Sequence, residues 1–312
     1  MKTTTGIRGL RRRLTAVVLN AVRNMRNTRT YTGMLQAEDF FHGPTLDWEP
    51  TGERVVVLAP HMDDEVIGCG GTLVRHLKAG AKVTVVFLTD GRHGGAHLHK
   101  LSGQALEDAQ KAVIERRKGE AREALGTLGI ADIVFLDAED TALAADKDAP
   151  RRLREVLERL NPTLVYLPFF LEHHPDHRAV SPLLIAATEG AKLDFTCHGY
   201  EVWTPLFPNC MVWIDESMDL KRQAMQCYRS QLDDANDLLH AMQGLAAYRS
   251  VIRSKRQGRF AEAFCAMPLA EYAQAYRAYS TDQPFWAPRG TGRAANLQPH
   301  VVAAPHSQTA NG

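Results

Sequence analysis

The sequence predicts an α/β fold: a mostly parallel, Rossmann-like sheet with helices on both faces. Two observations carry the prediction. Four short apolar runs, 54–59, 82–88, 132–136 and 163–167, have the length and β-branched content of buried strands. Segments of helical period, 65–79, 107–128 and 151–160, lie between them. Strands that alternate with helices in this way pair in parallel, because each crossover helix returns the chain to the same edge.

Each element has a local reason. The run 54–59 contains three consecutive valines and feeds a tight turn, after which the helix 65–79 stops before Gly80. The long helix 107–128 ends at Gly129, a residue that closes helices by taking the left-handed conformation. Beyond residue 167 the pattern weakens. Segments 200–203 and 210–214 read as strands, and 216–231 and 235–252 as helices. From Pro284 onward the chain is rich in Pro, Gly, Ala, Asn, Gln and His without periodicity, and disorder is expected over 284–312.

Composition narrows the function classes. With 312 residues, 45% of them hydrophobic, the chain can bury one large core. No run approaches the roughly 18 apolar residues that suggest a membrane span. Cys69, Cys197, Cys210, Cys227 and Cys265 are odd in number and never form a C-x-x-C pair. A disulfide framework and a thiolate zinc cluster are both disfavoured, and reduced, buried thiols in a cytoplasmic protein are expected. The net charge of +1 hides an asymmetry: residues 1–37 carry eight Lys and Arg and no acid, so the body is acidic. Within this arm, 1–40, Leu10, Leu14, Val17, Val18, Ala21, Val22 and Met25 form an apolar helical stripe. Such a helix suits an anionic membrane surface, a partner subunit or its own domain. A cleaved signal fits poorly, because Asn20 interrupts the apolar stretch and Arg23 and Arg26 follow it. Peripheral contact with the inner membrane face through residues 1–30 is therefore an expectation, and nucleic-acid binding is not.

Chemistry concentrates in two clusters. Pro60-His61-Met62-Asp63-Asp64-Glu65 follows the first strand directly, and His173-His174-Pro175-Asp176-His177 lies just past the fourth. Ligands of open α/β sheets bind at the carboxyl ends of strands, beside a switch point in strand order. If the first and fourth strands are neighbours there, the clusters meet. Two imidazoles and one carboxylate suit Zn²⁺ with a coordination position left for water. Each cluster also has a plain reading: Asp-Asp-Glu suits the first turn of a helix, and a His-rich run suits an exposed loop.

Together the two clusters resemble the motifs of the PIG-L/LmbE-like zinc-dependent N-acetylglucosaminyl deacetylases, His-Pro-Asp-Asp-Glu and His-Pro-Asp-His. The resemblance runs from about Val55 to Phe264 and implies an LmbE-like deacetylase domain over 41–283. It implies His61, Asp64 and His177 as ligands of Zn²⁺, with Fe²⁺ as a substitute. Asp63 would be the general base. A cationic His174 would stabilise the tetrahedral intermediate or protonate the leaving group, and Asp176 would orient a neighbour. Met62 departs from the family, which has proline there, so the loop loses the ring's rigidity. His173 reads as a surface or supporting residue, with replacement of a ligand as the alternative.

Softer matches follow. Thr89-Asp90-Gly91 succeeds the second strand. Arg117 and Glu120 resemble an Arg-x-x-Glu element whose arginine contacts substrate hydroxyls; a solvated helix charge is the plain reading. Tyr200-Glu201-Val202-Trp203 and Tyr228-Arg229-Ser230-Gln231 resemble elements of bacterial members linked to cell-surface glycans. Trp203 suits either stacking on a sugar face or the core. His93, His97 and His99 sit in a glycine-rich loop that serves as an ordinary mobile loop, a lid or an adventitious metal site. The expected function is removal of the N-acetyl group from an N-acetylated amino sugar. The alternatives are a non-catalytic carbohydrate-binding or regulatory protein on the same fold, and a metal hydrolase of another amide or ester.

Overall fold

The computed structural model describes residues 45–95, 98–232, 237–251 and 258–281. The basic arm, the tail from 284, His97 and both ends of the predicted helix 235–252 lie outside the described residues.

Along the chain the elements are β1 (Leu46–Asp47), β2 (Arg54–Ala59), α1 (Asp64–Lys78), β3 (Lys82–Thr89), α2 (Gly103–Leu128), β4 (Asp132–Ala138), α3 (Ala149–Leu160), β5 (Leu164–Pro168) and α4 (Pro175–Thr188). There follow β6 (Thr196–Tyr200), β7 (Cys210–Trp213), α5 (Met218–Cys227), α6 (Arg229–Leu232), α7 (Leu238–Arg249), β8 (Ala261–Pro268) and α8 (Leu269–Thr281). The described strands form one sheet in the order β1-β7-β8-β6-β5-β2-β3-β4. The block β6-β5-β2-β3-β4 is parallel throughout, and β8 runs antiparallel to both β6 and β7.

The chain leaves β2 toward β3 and β4, then returns to the other side for β5 and β6. The first and fourth predicted strands are therefore neighbours, with Val55 opposite Leu164 and Val57 opposite Tyr166. The loops after them diverge over a common crevice, as a switch point requires. Successive strand residues point to opposite faces. Val55, Val57 and Ala59 pack with residues of α1, α2 and α5, whereas Val56 and Leu58 pack with residues of α3, α4 and α8. Helix α1 lies very close to the sheet: a Cβ on Gly68 would stand 2.2 Å from the Tyr200 ring. Gly129 takes the left-handed conformation after α2, φ 88°. All five cysteines are free and buried. Among the described residues no helix is long and apolar enough to cross a membrane.

Strand β1 and helices α4 and α8 are not expected from the sequence, and three further elements differ from the sequence reading. The strand expected at 200–203 ends at Tyr200, because the amides of Val202, Trp203 and Thr204 bond to the Glu172 carboxylate instead of a neighbouring strand. The helix expected over 216–231 breaks at Tyr228, φ −80° and ψ 56°, whose hydroxyl is drawn into the core by Glu65. Strand β8 escapes a pattern search because it carries a buried Glu262. That carboxylate takes the Lys221 ammonium at 2.5 Å and the amides of Gly71 and Thr72 at 2.9 and 2.7 Å.

A buried histidine on β6 gives the fold a pH signature. The His198 ring packs against Trp48, Tyr166 and Phe264, with centroids 4.9, 5.2 and 5.8 Å away, and its Nδ1 has no hydrogen-bond partner. Burial, reinforced by the nearby His76, pushes its pKa down to about 3. The unfolded chain protonates this residue near pH 6.5, so it takes up a proton before the folded chain does and stability falls as pH drops below 6.5. Between pH 6.5 and 4.5 the wild type should lose about 2–3 kcal/mol more than His198→Phe. Urea denaturation at both pH values measures this, and parallel losses would contradict it.

Candidate active site

The turn after β2 is pinned from its neighbour. Thr89 donates to the Pro60 carbonyl through its amide at 3.0 Å and its hydroxyl at 2.8 Å. Asp63 then caps α1 with φ 139°, a conformation that costs a non-glycine residue strain and persists only when its surroundings impose it. Here the surroundings do. Its amide bonds Glu65 at 3.1 Å, and its carbonyl accepts from the amides of Val66 and Ile67. Met62, in the place of the family proline, is fully buried, and its carbonyl accepts from Arg117 at 2.9 Å. Burial and this bond supply the restraint that a proline ring would give.

The second cluster begins α4. His174 is its N-cap, with Nδ1 accepting from the Asp176 amide at 3.2 Å. Pro175 suits the first helical turn, where no amide donor is missed. One turn of helix then carries His177 back toward β2.

Three donor atoms converge in the crevice. His61 Nδ1 is 3.3 Å from Asp64 Oδ2, His177 Nε2 is 3.2 Å from the same oxygen, and the two nitrogens are 3.3 Å apart. Tetrahedral ligands at zinc distances of about 2.0–2.1 Å stand roughly 3.3–3.4 Å from one another, so the donor set fits such a cation. The outer nitrogens of both rings face carboxylates. His61 Nε2 lies 3.2 Å from Asp176 Oδ2 and 3.2 Å from Asp140 Oδ1. His177 Nδ1 lies 3.6 Å from Glu172 Oε2. Carboxylates behind metal-binding imidazoles fix the tautomer and aim the inner nitrogen. Asp176 is itself held by the amides of Thr141 and Leu143 at 2.7 and 3.3 Å.

Charge in the crevice is strongly biased. Burial opposes a proton on His61, but Asp140, Asp176 and Asp64 outweigh it and raise its pKa well above normal. Burial also opposes one on His177, and Asp64 and Glu172 outweigh it, raising it to about 9. Burial would raise Asp64, yet His177 and His61 hold it well below the usual carboxylate range. The cluster thus demands positive charge, and a divalent cation would displace protons to provide it. Asp63 behaves differently: burial pushes its carboxyl up to about 7, with Arg117 opposing and Asp64 assisting.

Of the residues singled out in the sequence, His61, Asp63, Asp64, His174, Asp176 and His177 come together. The His174 ring lies 4.7 Å from His61 and 5.1 Å from His177, centroid to centroid. Burial, with those two rings, pushes its pKa down to about 4, so the cationic His174 expected from the sequence is corrected to a neutral ring. With Nδ1 accepting from Asp176, its proton sits on Nε2. Arg117 is 4% exposed, not a solvated helix charge, and lies 3.7 Å from Asp63. Trp203 is 50% exposed on the loop after β6, which excludes the core reading. His173 is exposed, with its amide on Glu172. His93 bonds Asp140 through its amide, and His99 is exposed.

The sequence reading missed Asp140 and Glu172. Asp140 follows β4 as Asp90 follows β3, so the strand-end rule would have found it. Glu172 sits beside the second motif without belonging to it. It also missed the link between motifs: the Tyr228 hydroxyl donates to Glu65, which burial raises to about 8 and so keeps neutral. Ser230 and Gln231 then bond Glu120 and the Gly94 carbonyl.

The family model of GlcNAc-PI de-N-acetylases, PIG-L, matches residues 56–188. The diacetylchitobiose deacetylase of Thermococcus kodakarensis is 28% identical over 198 residues, 58% of this chain and 71% of that protein. The 4-oxalmesaconate hydratase of Pseudomonas putida is 29% identical over 229 residues, 67% of this chain and 87% of that protein. Among solved structures, the N,N'-diacetylchitobiose deacetylase of Pyrococcus horikoshii superposes with a TM-score of 0.59 at 26% identity, over 70% of this chain and 86% of that one.

The contact between Tyr228 and Glu65 yields a stability test. Tyr228→Phe leaves a buried carboxyl short of a partner and should cost about 1–3 kcal/mol. Urea denaturation measures it; an unchanged midpoint would show that Glu65 does not depend on Tyr228.

Proposed function

Because the chain belongs to the PIG-L/LmbE family of de-N-acetylases, we propose that it is a metal-dependent hydrolase acting on an N-acetylated amino sugar. The sugar is of the N-acetylglucosamine type, carried on a glycan, glycolipid or small glycoconjugate. The observation that carries this reading is the near-equilateral donor triangle of His61, Asp64 and His177, with the Asp63 carboxyl beside it and outside it.

Zn²⁺, or Fe²⁺ in its place, held by those three residues supplies Lewis acidity toward water and the acetyl carbonyl. Asp63 takes the proton of the attacking water, and its pKa of about 7 suits a base working near neutrality. The water oxygen bonds the acetyl carbon, the carbon–nitrogen bond breaks, and the proton on Asp63 passes to the departing nitrogen. Free amine and acetate result. The neutral His174 presents its Nε2 proton to the carbonyl oxygen as that atom gains charge. Asp176 holds the His61 ring and receives the amides that shape its own loop. Arg117 keeps Asp63 in place; its contact with sugar hydroxyls rests on its motif position. The half-exposed face of Trp203 suits stacking on a pyranose ring.

A hydratase reading has one point in its favour, the extent of the match to the Pseudomonas putida relative. The charge of this site speaks against it. A polycarboxylate substrate needs cationic side chains to receive it, and the arginines described here are engaged by the protein: Arg92 by Asp90, Arg117 by Met62 and Asp63, Arg178 by the carbonyls of Glu172 and His173. A neutral acetamide suits the crevice better.

Two experiments test the proposal. Full-chain protein supplied with Zn²⁺ or Fe²⁺ should release acetate from a member of a panel of N-acetyl amino sugars and glycoconjugates. Hydration of a carboxymuconate without any acetate release would overturn the reading. Asp63→Asn should retain the metal and lose at least about a hundredfold in turnover; near-wild-type turnover with metal bound would remove Asp63 from the mechanism.

A further inference from the structure

We infer that Glu172 is a positioning residue that fixes His177 and the Trp203 loop as a single unit. Glu172 is 2% exposed and lies on the short link between β5 and α4. Its carboxylate receives the amides of Val202 at 2.7 Å, Trp203 at 3.0 and 3.2 Å, Thr204 at 3.1 Å and His173 at 3.2 Å. Amide bonds to an ionised carboxylate are stronger than neutral ones. These gather the loop after β6 onto the loop after β5, where the hydrogen-bond ladder of the two strands has already ended.

The same carboxylate faces His177. The imidazole is fully buried, and its Nδ1 makes no hydrogen bond; Glu172 Oε2 stands 3.6 Å from it. With Nε2 turned into the donor triangle, the proton of a neutral His177 ring belongs on Nδ1, pointing at Glu172. A short movement of either group closes this distance to a hydrogen bond. One carboxylate therefore orients an imidazole from behind and anchors the backbone that carries Trp203. The anchored backbone leaves the Trp203 ring half-exposed just past the carboxyl end of β6. Tying this wall to His177 sets the spacing between the reacting group and whatever the sugar is attached to.

This inference rests on the metal reading above, and the test separates the two. Zinc affinity of the full chain is measured by competition with a chromophoric chelator, and KM and kcat by acetate release. Glu172→Gln should unfold cooperatively and bind zinc roughly 10–100-fold more weakly, with KM raised. Trp203→Ala removes the ring but none of the amide bonds, so it should raise KM at wild-type zinc affinity. Glu172→Gln with wild-type zinc affinity would overturn the inference, since a carboxylate that merely held the loop would not alter metal binding. If that variant does not fold, Glu172→Asp keeps the charge but draws it back by one methylene; weaker zinc binding is again expected, and unchanged affinity again overturns it. A wild-type protein that binds no zinc would instead overturn the metal reading.

Discussion

Five buried carboxylates, those of Asp63, Asp64, Asp140, Glu172 and Asp176, meet two imidazoles and one guanidinium at the carboxyl ends of β2, β4 and β5. Taking that many acids out of water is unfavourable unless positive charge and hydrogen-bond donors come with them. The fold meets the demand in layers. Backbone amides of the 141–143 and 202–204 segments cover Asp176 and Glu172. Asp63 is served by Arg117, and Glu65 avoids the problem by staying protonated against Tyr228. What is left over is the face shared by His61, Asp64 and His177, where the carboxylates hold extra protons on the rings. A divalent cation answers that demand more directly than protons do, and this is the physical basis of the functional reading.

The supports of this face come from distant parts of the chain. The strained Asp63 turn depends on Thr89 from β3, Arg117 from α2 and Tyr228 from the break between α5 and α6. Glycine at position 68 lets α1 approach the Tyr200 ring, so the helix that begins at Asp64 lies tightly on the strands that bring the second motif. The loss of a proline at Met62 is absorbed by packing and a single carbonyl bond. Rigidity here is a property of the surroundings and not of the motif itself.

Much of this was legible in the sequence, and the limits have physical reasons. Strands β2, β3 and β5 stood out because they are buried on both faces and so read as unbroken apolar runs, and the partly buried edge strand β4 still carries the apolar run Ile133–Leu136. The pairing of β2 with β5 was the condition under which the two clusters would meet, and the sheet order meets it. The convergence of His61, Asp64, His174 and His177 was legible because both motifs are short and local in sequence. Strand β8 was not, because Glu262 is stabilised by Lys221 and by amides of α1, partners that no window around residue 262 contains. The end of β6 and the break at Tyr228 were missed for the same reason. Their amides and hydroxyl are claimed by Glu172 and Glu65, each far away along the chain. Asp140 was in reach of the strand-end rule, whereas the link from Glu172 to His177 needed the three-dimensional arrangement.

The central claim is that two imidazoles and one carboxylate form a single cation site at the β2–β5 edge. X-ray absorption at the zinc K-edge, on full-chain protein loaded with one equivalent, tests it most directly. The account predicts nitrogen and oxygen scatterers at about 2.0–2.2 Å, with the multiple-scattering signature of two imidazole rings. Sulfur scatterers at about 2.3 Å, or an oxygen-only environment without imidazole, would contradict it.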